Sequence, residues 1–417
     1  MIREPDDVDV LVVGGGPAGL AAAIELRRLG VARVIVADRE PDVGGIPRHS
    51  VHTGFGWRDL RRVLSGPAYA ARYVQMAGDA GVELRASTTV TGWQDANSVA
   101  LTSPDGCYRL NARAVILATG CRERPRAARM VPGDRPAGIF TTGSLQQMVY
   151  LQHQSVGRTA VVVGAEHVSY SALLTLAHGA TRTVAMITEH ARHQTYLPFK
   201  LASATRLSVP LLTSTRVLSI RGKQRVEAVE LSDENTGRRF ELPCDTVVFT
   251  GDWIADHELA RRGCIAIDRG TTGPSVDAAL RTSRRGVFAA GNLLHGAETA
   301  DVAALSGRHA AASVQRFLTT GEWPAGPGVP IVCMPPLRWI SPNVVSVGTR
   351  PAPPHGAFLL RVNAVIEDAQ LVAKQNDHEL WRQHYRRLVP NLPIRMSAVW
   401  MRLARNAGGP IYVQVRA

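Results

Sequence analysis

The fold is decided by residues 9–19, which read Asp-Val-Leu-Val-Val-Gly-Gly-Gly-Pro-Ala-Gly. The apolar run from Val8 to Val13 predicts a buried parallel strand, and the run from Leu20 to Gly30 predicts a helix that ends at a glycine. Between them lie the glycines of a G-x-G-x-x-G pattern: Gly14, Gly16 and Gly19. In that order they allow a tight turn, close approach of a pyrophosphate, and close helix–strand packing. The stretch therefore predicts a dinucleotide-binding unit with phosphate at the helix N-terminus.

An acidic residue at the end of the next strand supports this interpretation. The predicted strand Arg33-Val-Ile-Val-Ala is followed by Asp38. Asp38 lies about 20 residues beyond Gly16, the spacing at which a carboxylate binds a ribose 2′-hydroxyl, and it selects a nucleotide without a 2′-phosphate. The alternative is an ordinary glycine-rich turn between strand and helix. The whole strand, turn, helix and acid context argues against that alternative.

Length and composition indicate an ordinary globular chain of two or three domains. The chain has 417 residues, 45% hydrophobic and 20% charged. The formal charge of +13 comes almost entirely from arginine, since lysine occurs only at Lys200, Lys223 and Lys374. No basic stripe interleaved with aromatic residues suggests a nucleic-acid partner. A basic face could instead steer an anionic substrate or an acidic protein partner.

The cysteines and the N-terminal residues exclude several classes of protein. The 5 cysteines are scattered, and no pair is spaced C-x-x-C or C-x4-C. The sequence therefore encodes no redox disulfide, no metal site and no iron–sulfur site. The first residues lack an apolar signal region, and no stretch reaches about 18 apolar residues. We expect a soluble, cytoplasmic protein without a membrane span.

Further elements of the first domain follow Asp38. Residues 44–56 are irregular and rich in glycine. The sequence then predicts a helix from Tyr69 to Ala80, strands at Val82–Arg85 and Val99–Thr102, and a strand beginning at Arg113 that ends in Ala118-Thr119-Gly120.

These motifs together resemble the FAD half of the two-dinucleotide-binding-domain flavoproteins. The stretch Thr282 to Asn292 strengthens the resemblance, because it is similar to the strand that brings a Gly-Asp pair to the flavin ribityl chain. Asn292 replaces that aspartate, and its amide can still hydrogen-bond a ribityl hydroxyl. The resemblance implies an FAD site formed by Gly14, Gly16, Pro17, Ala18, Gly19, Asp38, Arg39, Gly45, Arg48, Val90, Ala118, Thr119, Gly120, Gly291, Asn292, Thr299 and Ala300.

The middle of the chain repeats the strand and turn but changes the glycine pattern. Residues 158–164 predict a strand ending in Gly164, yet the second and third glycines of the pattern are replaced by Glu166 and Ser169. Glu166 adds bulk and negative charge where a backbone should approach pyrophosphate. NAD(P) binding is therefore doubtful, and the alternative is a domain retained as a scaffold. A helix from Tyr170 to Gly179 and a strand from Thr183 keep the fold.

The strand from Thr246 is expected to return the chain to the FAD domain, and a helix beginning near Thr299 is expected to direct its N-terminal N–H groups towards the flavin. Residues 321–330 have linker composition, and the tail predicts β-strands with a short helix near His378 to Arg387. We therefore predict an α/β fold with two Rossmann-like domains, the second inserted in the first, plus a small, mainly β C-terminal domain. The predicted limits are 1–125 with 245–320 for FAD, 126–244 for the NAD(P)-like domain, and 321–417 for an interface or cap.

A narrower resemblance concerns the reaction. Residues 44–49 and 135–143 are similar to the FAD subunits of multicomponent dehydrogenases acting on amines, amino acids and opines, a group that includes hydrogen cyanide synthase and dye-linked proline dehydrogenase. The resemblance implies hydride removal from a C–H bond beside nitrogen or oxygen. It also implies a small-molecule substrate and, as electron partner, a second flavoprotein or an iron–sulfur subunit.

Within that interpretation, His49 and His52 are the candidate bases because imidazole titrates near neutrality. Arg48 is a candidate for binding a substrate carboxylate or the FAD phosphates. The alternative is that both histidines only hydrogen-bond the loop or the cofactor. His295 is a further pocket candidate, and Cys121 is interpreted as a small spacer.

Three functions remain open from the sequence. The first is an FAD-dependent dehydrogenase or oxidase, alone or within a larger complex. The second is an NAD(P)H-dependent flavin reductase of the ferredoxin-reductase type, which Glu166 and Ser169 disfavour. The third is a non-catalytic FAD-binding subunit that supports assembly.

Overall fold

A computed structural model of the chain describes residues 3–95, 98–195, 208–296, 298–346 and 351–416. The chain forms two compact units. The first comprises Met1–Arg48, Thr53–Cys121 and Ala255–Ala417, and the second comprises His49–His52 and Arg122–Ile254. The helices of the described residues are α1 (Pro17–Arg28), α2 (Gly66–Asp79), α3 (Thr142–Gln146), α4 (His167–His178), α5 (Glu258–Arg262) and α6 (Ala300–Thr320).

The first unit is built on a seven-stranded sheet. Its parallel strands lie in the order Glu83–Arg85, Val34–Ala37, Arg3–Val13 and Gly106–Leu117, and Val287–Ala289 also pairs with the last of these. Ser98–Ser103 and Thr89–Trp93 continue the sheet as antiparallel strands. All four residues of Val34–Ala37 are buried, as expected for a parallel strand covered on both faces.

Helices α1 and α6 pack against each other beside this sheet. The approach is close because a Cβ on Gly307 of α6 would overlap the carbonyl oxygen of Ala18 in α1. Two short strands, Thr53–Phe55 and Leu64–Ser65, form an antiparallel pair before α2. No helix among the described residues is both long and apolar enough to cross a bilayer.

The second unit contains a five-stranded parallel sheet. Its strands lie in the order Ile139–Thr141, Thr246–Phe249, Thr159–Val163, Arg182–Ile187 and Leu211–Leu212. A separate antiparallel sheet holds Thr215–Arg221, Ala228–Asp233 and Arg239–Pro243. The short strands Cys121–Glu123 and Trp253–Ala255 contain two of the points where the chain passes between units, and the other two flank His49–His52.

The position of Thr246–Phe249 corrects one expectation. The sequence predicts that this strand returns the chain to the FAD domain, but it lies inside the sheet of the second unit, between Ile139–Thr141 and Thr159–Val163. All four of its residues are buried, and its backbone hydrogen-bonds a neighbour on each side. The second unit therefore continues to Ile254.

The C-terminal part of the first unit consists mainly of two small sheets. One has the order Val344–Val345, Val329–Cys333, Ile411–Arg416, Ile366–Gln375 and His378–Leu388. The other has the order Leu337–Ser341, Ala357–Val362 and Ile394–Ser397. Buried apolar residues of both sheets pack into one core with Trp400.

The predicted helix near His378 to Arg387 is wrong. His378–Leu388 is an edge strand paired antiparallel with Ile366–Gln375. The connection turns at Asn376, which has a positive φ of 52°, a conformation that asparagine tolerates in tight turns. The predicted α/β class is confirmed, with one mixed, mainly parallel sheet and one parallel sheet, each flanked by helices, and a mainly β C-terminal part.

Candidate functional site

The glycine turn of the first unit has the geometry of a phosphate cradle. Gly14 has a φ of 106°, and its N–H donates to the carbonyl of Ala37 across 2.8 Å. Gly16 is the N-cap of α1 and supplies no side-chain acceptor, and the first turn of this described helix holds no acidic residue. The N–H groups at the start of α1 are therefore open to an anion, as the FAD pyrophosphate requires.

The segment after the second strand lies directly on this turn. Gly44 donates its N–H to the carbonyl of Gly15 across 2.7 Å. A Cβ on Gly45 would lie 2.8 Å from the Cα of Gly16, whereas a Cβ on Gly16 would meet only Gly45, at 3.8 Å. Gly45 thus approaches the glycine turn as closely as a residue without a side chain can. The space beside Gly16 is thus not filled by neighbouring described residues, which leaves it open to a phosphate group.

The carboxylate of Asp38, which the sequence predicts to bind a ribose, accepts two backbone hydrogen bonds. Its Oδ2 accepts the N–H of Gly15 at 2.5 Å, and its Oδ1 accepts the N–H of Glu40 at 2.8 Å. Each carboxylate oxygen can accept a second hydrogen bond, so a ribose hydroxyl remains compatible with this arrangement. The neighbouring Arg39 is exposed and lies 3.4 Å from Oδ2 of Asp256.

The Ala-Thr-Gly turn lies against the same glycines. Ala118 donates its N–H to the carbonyl of Val13 across 2.8 Å, and a Cβ on Gly14 would lie 2.5 Å from the carbonyl oxygen of Ala118. Thr119 donates through Oγ1 to the carbonyl of Asp256, at 2.7 Å. Gly120 accepts the N–H of Asp256 at 3.0 Å. Three of the predicted cofactor segments therefore lie at one end of the parallel sheet.

Five further predicted cofactor residues lie in three places. Gly291 contacts α1, because a Cβ there would lie 2.6 Å from the methyl carbon of Ala18, and Pro17 begins that helix. Thr299 is the N-cap of α6 and Ala300 is its first residue. Val90 packs instead against the hydrophobic core of the first unit.

The start of α6 differs electrostatically from the expectation. Asp301, in its first turn, is buried and accepts hydrogen bonds from the Thr299 hydroxyl and from the N–H of Val302 and of Arg58. This carboxylate offsets part of the positive potential of the helix N-terminus. The positive potential at the N-terminus of α6 is therefore weaker than the helix alone would give.

The three candidate catalytic residues are divided between the units. Arg48 belongs to the first unit, where its guanidinium lies 3.6 Å from a carboxylate oxygen of Glu40 and 3.4 Å from one of Asp42. His49 and His52 belong to the second unit. His49 is buried, with 2% of its surface exposed. Their predicted roles at the flavin stay predictions.

The second cradle is filled by the side chain of Glu166. Glu166 is the N-cap of α4, and only 7% of its surface is exposed. A Cβ on Gly164 would lie 2.8 Å from its Oε2, and Ser169 Oγ would lie 2.9 Å from the same Cβ. Ser169 itself exchanges a hydrogen bond of 2.7 Å with the hydroxyl of Thr250. The residues present do not fit a pyrophosphate at this turn.

Glu123 and Arg129 interact electrostatically with Glu166. Glu123 accepts the N–H groups of Thr142 and Gly143 at the start of α3, and burial, followed by the charge of Glu166 among other causes, raises the pKa of Glu123. Arg129 donates to the carbonyls of Thr250 and Gly251, at 2.9 and 2.7 Å. Burial lowers the pKa of the Arg129 guanidinium. Two buried acids, Glu123 and Glu166, and the partly buried guanidinium of Arg129 thus lie in this part of the second unit.

A further buried cluster joins Asn292 to the C-terminal sheets. Glu298 forms an ion pair with Arg361, and the side chains are 6% and 7% exposed. His295 is stacked on Trp339 with ring centroids 5.0 Å apart. Asn292, His295 and Glu298 line a cavity of about 20 Å³, enough for one water. Burial lowers the pKa of His295 to about 4, so the ring is neutral at neutral pH.

Comparison with known proteins places the chain among flavoproteins. An opine oxidase subunit from Agrobacterium tumefaciens (strain Ach5) is 35% identical over 156 residues, which are 34% of this chain and 29% of that protein. The ferredoxin–NADP reductase of Ignicoccus hospitalis (strain KIN4/I / DSM 18386 / JCM 14125) is 24% identical over 76% of this chain and 99% of its own length. The match to the opine oxidase subunit thus spans less than a third of that protein.

The fold comparison agrees with these relatives. The crystal structure of thioredoxin reductase from T. acidophilum superposes with a TM-score of 0.63 at 21% identity, over 75% of this chain and 99% of that one. The profile of the pyridine nucleotide-disulphide oxidoreductase family matches residues 8–307. The phosphate cradle, Asp38 and this match lead to one conclusion: the chain belongs to the pyridine nucleotide-disulphide oxidoreductase family, which binds FAD.

Proposed function

We propose that the chain is an FAD-dependent oxidoreductase that removes a hydride from a C–H bond beside nitrogen in a small amine, amino acid or opine. It acts alone or within a larger complex. The observation that carries this proposal is the difference between the two cradles. The first fits a dinucleotide, whereas Glu166 fills the second.

The difference between the two cradles bears on which molecule donates electrons to this protein. A flavoprotein of this fold that cannot bind a nicotinamide nucleotide must receive its electrons from another donor. Cysteine spacing argues against a dithiol donor, because no C-x-x-C pair is present in the sequence. The similarity to an opine oxidase subunit supports a donor with a C–N bond.

Three residues between the second strand and Thr53, namely Arg48, His49 and His52, have roles in this proposal. Bound FAD would supply the hydride-accepting chemistry. Arg48 binds the FAD phosphates, which would replace Glu40 and Asp42 as partners of a guanidinium that is mostly buried. His49 takes the proton from the substrate nitrogen as a general base, and His52 is the second candidate for that role.

The electron partner is also part of the proposal. The sequence encodes no C-x-x-C or C-x4-C segment for an iron–sulfur cluster, so the electron acceptor would be a second flavoprotein, an iron–sulfur subunit or a soluble molecule. The similarity to a protein named as one subunit of an oxidase supports assembly with a partner.

The second candidate function is an NAD(P)H-dependent reductase. It is favoured by the match to a ferredoxin–NADP reductase over 76% of this chain and 99% of that protein. Glu166 argues against it, because a buried carboxylate repels a pyrophosphate and occupies its place. A non-catalytic FAD-binding subunit is the third candidate.

An anaerobic titration separates the three functions. The purified protein with bound FAD is mixed with NADH, with NADPH, and with a panel of secondary amines, N-methyl amino acids and opines, and loss of visible flavin absorbance is followed. We expect bleaching by a member of the panel and none by micromolar nicotinamide nucleotides. Rapid stoichiometric bleaching by NADH or NADPH would establish the reductase. Bleaching by dithionite alone would support the non-catalytic subunit.

A further inference from the structure

The buried ion pair between Glu298 and Arg361 joins distant parts of the sequence within the first unit. Arg361 lies in the strand Ala357–Val362 of the C-terminal part, and its Nη2 atom donates to Oε1 of Glu298. Glu298 comes just before the N-cap of α6. Because both side chains are almost fully buried, neither charge can be solvated if the other is removed.

The backbone of Glu298 holds the side chain of Asn292. The Glu298 N–H donates to Asn292 Oδ1 at 3.0 Å, and Asn292 Nδ2 donates to the Glu298 carbonyl at 3.1 Å. Both ends of the amide are therefore fixed by one residue. The amide keeps one further N–H and one further lone pair for a ligand.

Arg361 is also held by an aromatic contact. Its guanidinium lies over the Trp339 ring, 5.1 Å from the centroid, and the same ring stacks on His295 at an interplanar angle of 23°. His295 lies between Asn292 and Glu298 in the sequence. The segment that contains Asn292 is thus held by the C-terminal sheets at two points, Glu298 and His295.

We infer that Arg361 is a positioning residue for the FAD site, acting through Glu298 on Asn292. The C-terminal part of the chain then determines the orientation of a side chain that faces the flavin ribityl group. The inference rests on the proposed place of Asn292 in the FAD site. It requires no assumption about the substrate.

The test measures FAD binding rather than turnover. Apoprotein of the full chain is prepared as wild type, Arg361→Met and Asn292→Ala, and the Kd for FAD and the visible circular dichroism of the bound flavin are measured. We expect both variants to weaken FAD binding at least tenfold and to change the dichroism spectrum in the same way. The shared spectral change is the signature of a displaced Asn292.

A second buried ion pair supplies the matched control. Arg281 and Asp277 have side chains 9% and 5% exposed and lie 2.8 Å apart in the same unit. Arg281→Met removes a comparable buried cation without touching Glu298 or Asn292. We expect it to lower the melting temperature as Arg361→Met does, while the Kd for FAD and the dichroism spectrum stay those of the wild type.

The double variant Glu298→Gln/Arg361→Met is the control for a folding defect in Arg361→Met. It leaves no uncompensated buried charge, so we expect it to fold better than Arg361→Met and to recover part of the FAD affinity. Normal FAD affinity and dichroism in Arg361→Met, with loss in Asn292→Ala, would overturn the inference alone. Normal affinity in Asn292→Ala would overturn the place of Asn292 in the site, and the inference with it. Neither result alters the proposed oxidation of amines.

Discussion

A Cβ atom on Gly251 would lie 2.8 Å from Oε1 of Glu166, so the glutamate side chain lies just beyond the end of the inner strand Thr246–Phe249 in the five-stranded sheet of the second unit. This Oε1 atom is buried and has no hydrogen-bond partner among the described residues. The site of a dinucleotide in such a sheet lies outside the carboxyl ends of the strands. Glu166 therefore occupies with its own side chain the place that a pyrophosphate would take.

Replacing Glu166 and Ser169 with glycine should make room for a pyrophosphate at the turn after Gly164. In the double variant Glu166→Gly/Ser169→Gly we expect NADH to bind at least tenfold more tightly, because both the bulk and the negative charge at the turn are removed. Calorimetric titration of the FAD-loaded protein with NADH measures the change. Glu234→Gly, at an exposed glutamate of the same unit, is the control and should leave NADH binding unchanged. Unchanged affinity in the double variant would show that Glu166 is not what excludes the nucleotide.

Replacement of Gly16 should abolish FAD binding, whereas replacement of Gly19 should lower the stability of the fold. A Cβ on Gly16 meets no atom closer than 3.8 Å, so Gly16→Val should fold and yet lose FAD, since the branched side chain takes the phosphate space. A Cβ on Gly19 would overlap the carbonyl oxygen of Gly14. Gly19→Ala should therefore lower stability by roughly 1–3 kcal/mol through overpacking.

Thermal melting and the FAD-to-protein ratio after purification measure these two effects. Gly78→Ala is a matched control, because a Cβ there meets nothing within 4 Å and the residue lies near the end of α2. A Gly16→Val protein that purified with full FAD would show that the cofactor is bound elsewhere.

The first cradle could be predicted from the sequence because its chemistry is local. Strand, glycine turn, helix and Asp38 follow each other within one βαβ unit, and each residue type has a separate steric or electrostatic reason. The replacement of glycine by Glu166 is equally visible in the sequence. The same local reasoning also predicts the buried strands, whose apolar runs are continuous.

The cluster around Arg361 could not be predicted, since its members are far apart in sequence and share no spacing. Glu298 and Arg361 form their pair only when the C-terminal sheets pack on the first unit's α/β part. The helix expected near His378 failed for a related reason. Pairing with Ile366–Gln375 supplies backbone hydrogen bonds that outweigh the local preference of a polar segment.

Arg48 offers a choice between two roles that a single substitution separates. If it binds FAD phosphate, Arg48→Ala should purify with little FAD. If it binds a substrate carboxylate, FAD stays and the apparent affinity for substrate falls by roughly 1.5–3 kcal/mol, the value of a charged hydrogen bond. We expect the first result. Arg72→Ala, at an exposed arginine of α2, is the control for loss of a positive charge.

His295 should make stability depend on pH. Burial lowers its pKa from 6.5 to about 4, so the folded protein keeps the ring neutral where the unfolded chain begins to protonate it. The contribution of His295 is therefore complete above the unfolded pKa and is lost as the pH falls from 6.5 towards 4. At about pH 5 the loss should be about 2 kcal/mol, from about 1.4 kcal/mol per pH unit.

Denaturant unfolding of the wild type and of His295→Phe, each at neutral and at mildly acidic pH, measures this contribution. Phenylalanine keeps a ring to stack on Trp339 but cannot be protonated. His309 and His355 also have pKa values lowered by burial, so both proteins should lose some stability in acid. The part due to His295 is the difference between them, and we expect the phenylalanine variant to lose about 2 kcal/mol less. Equal losses would mean that the unfolded and folded chains protonate this ring alike, which is incompatible with its burial against Trp339.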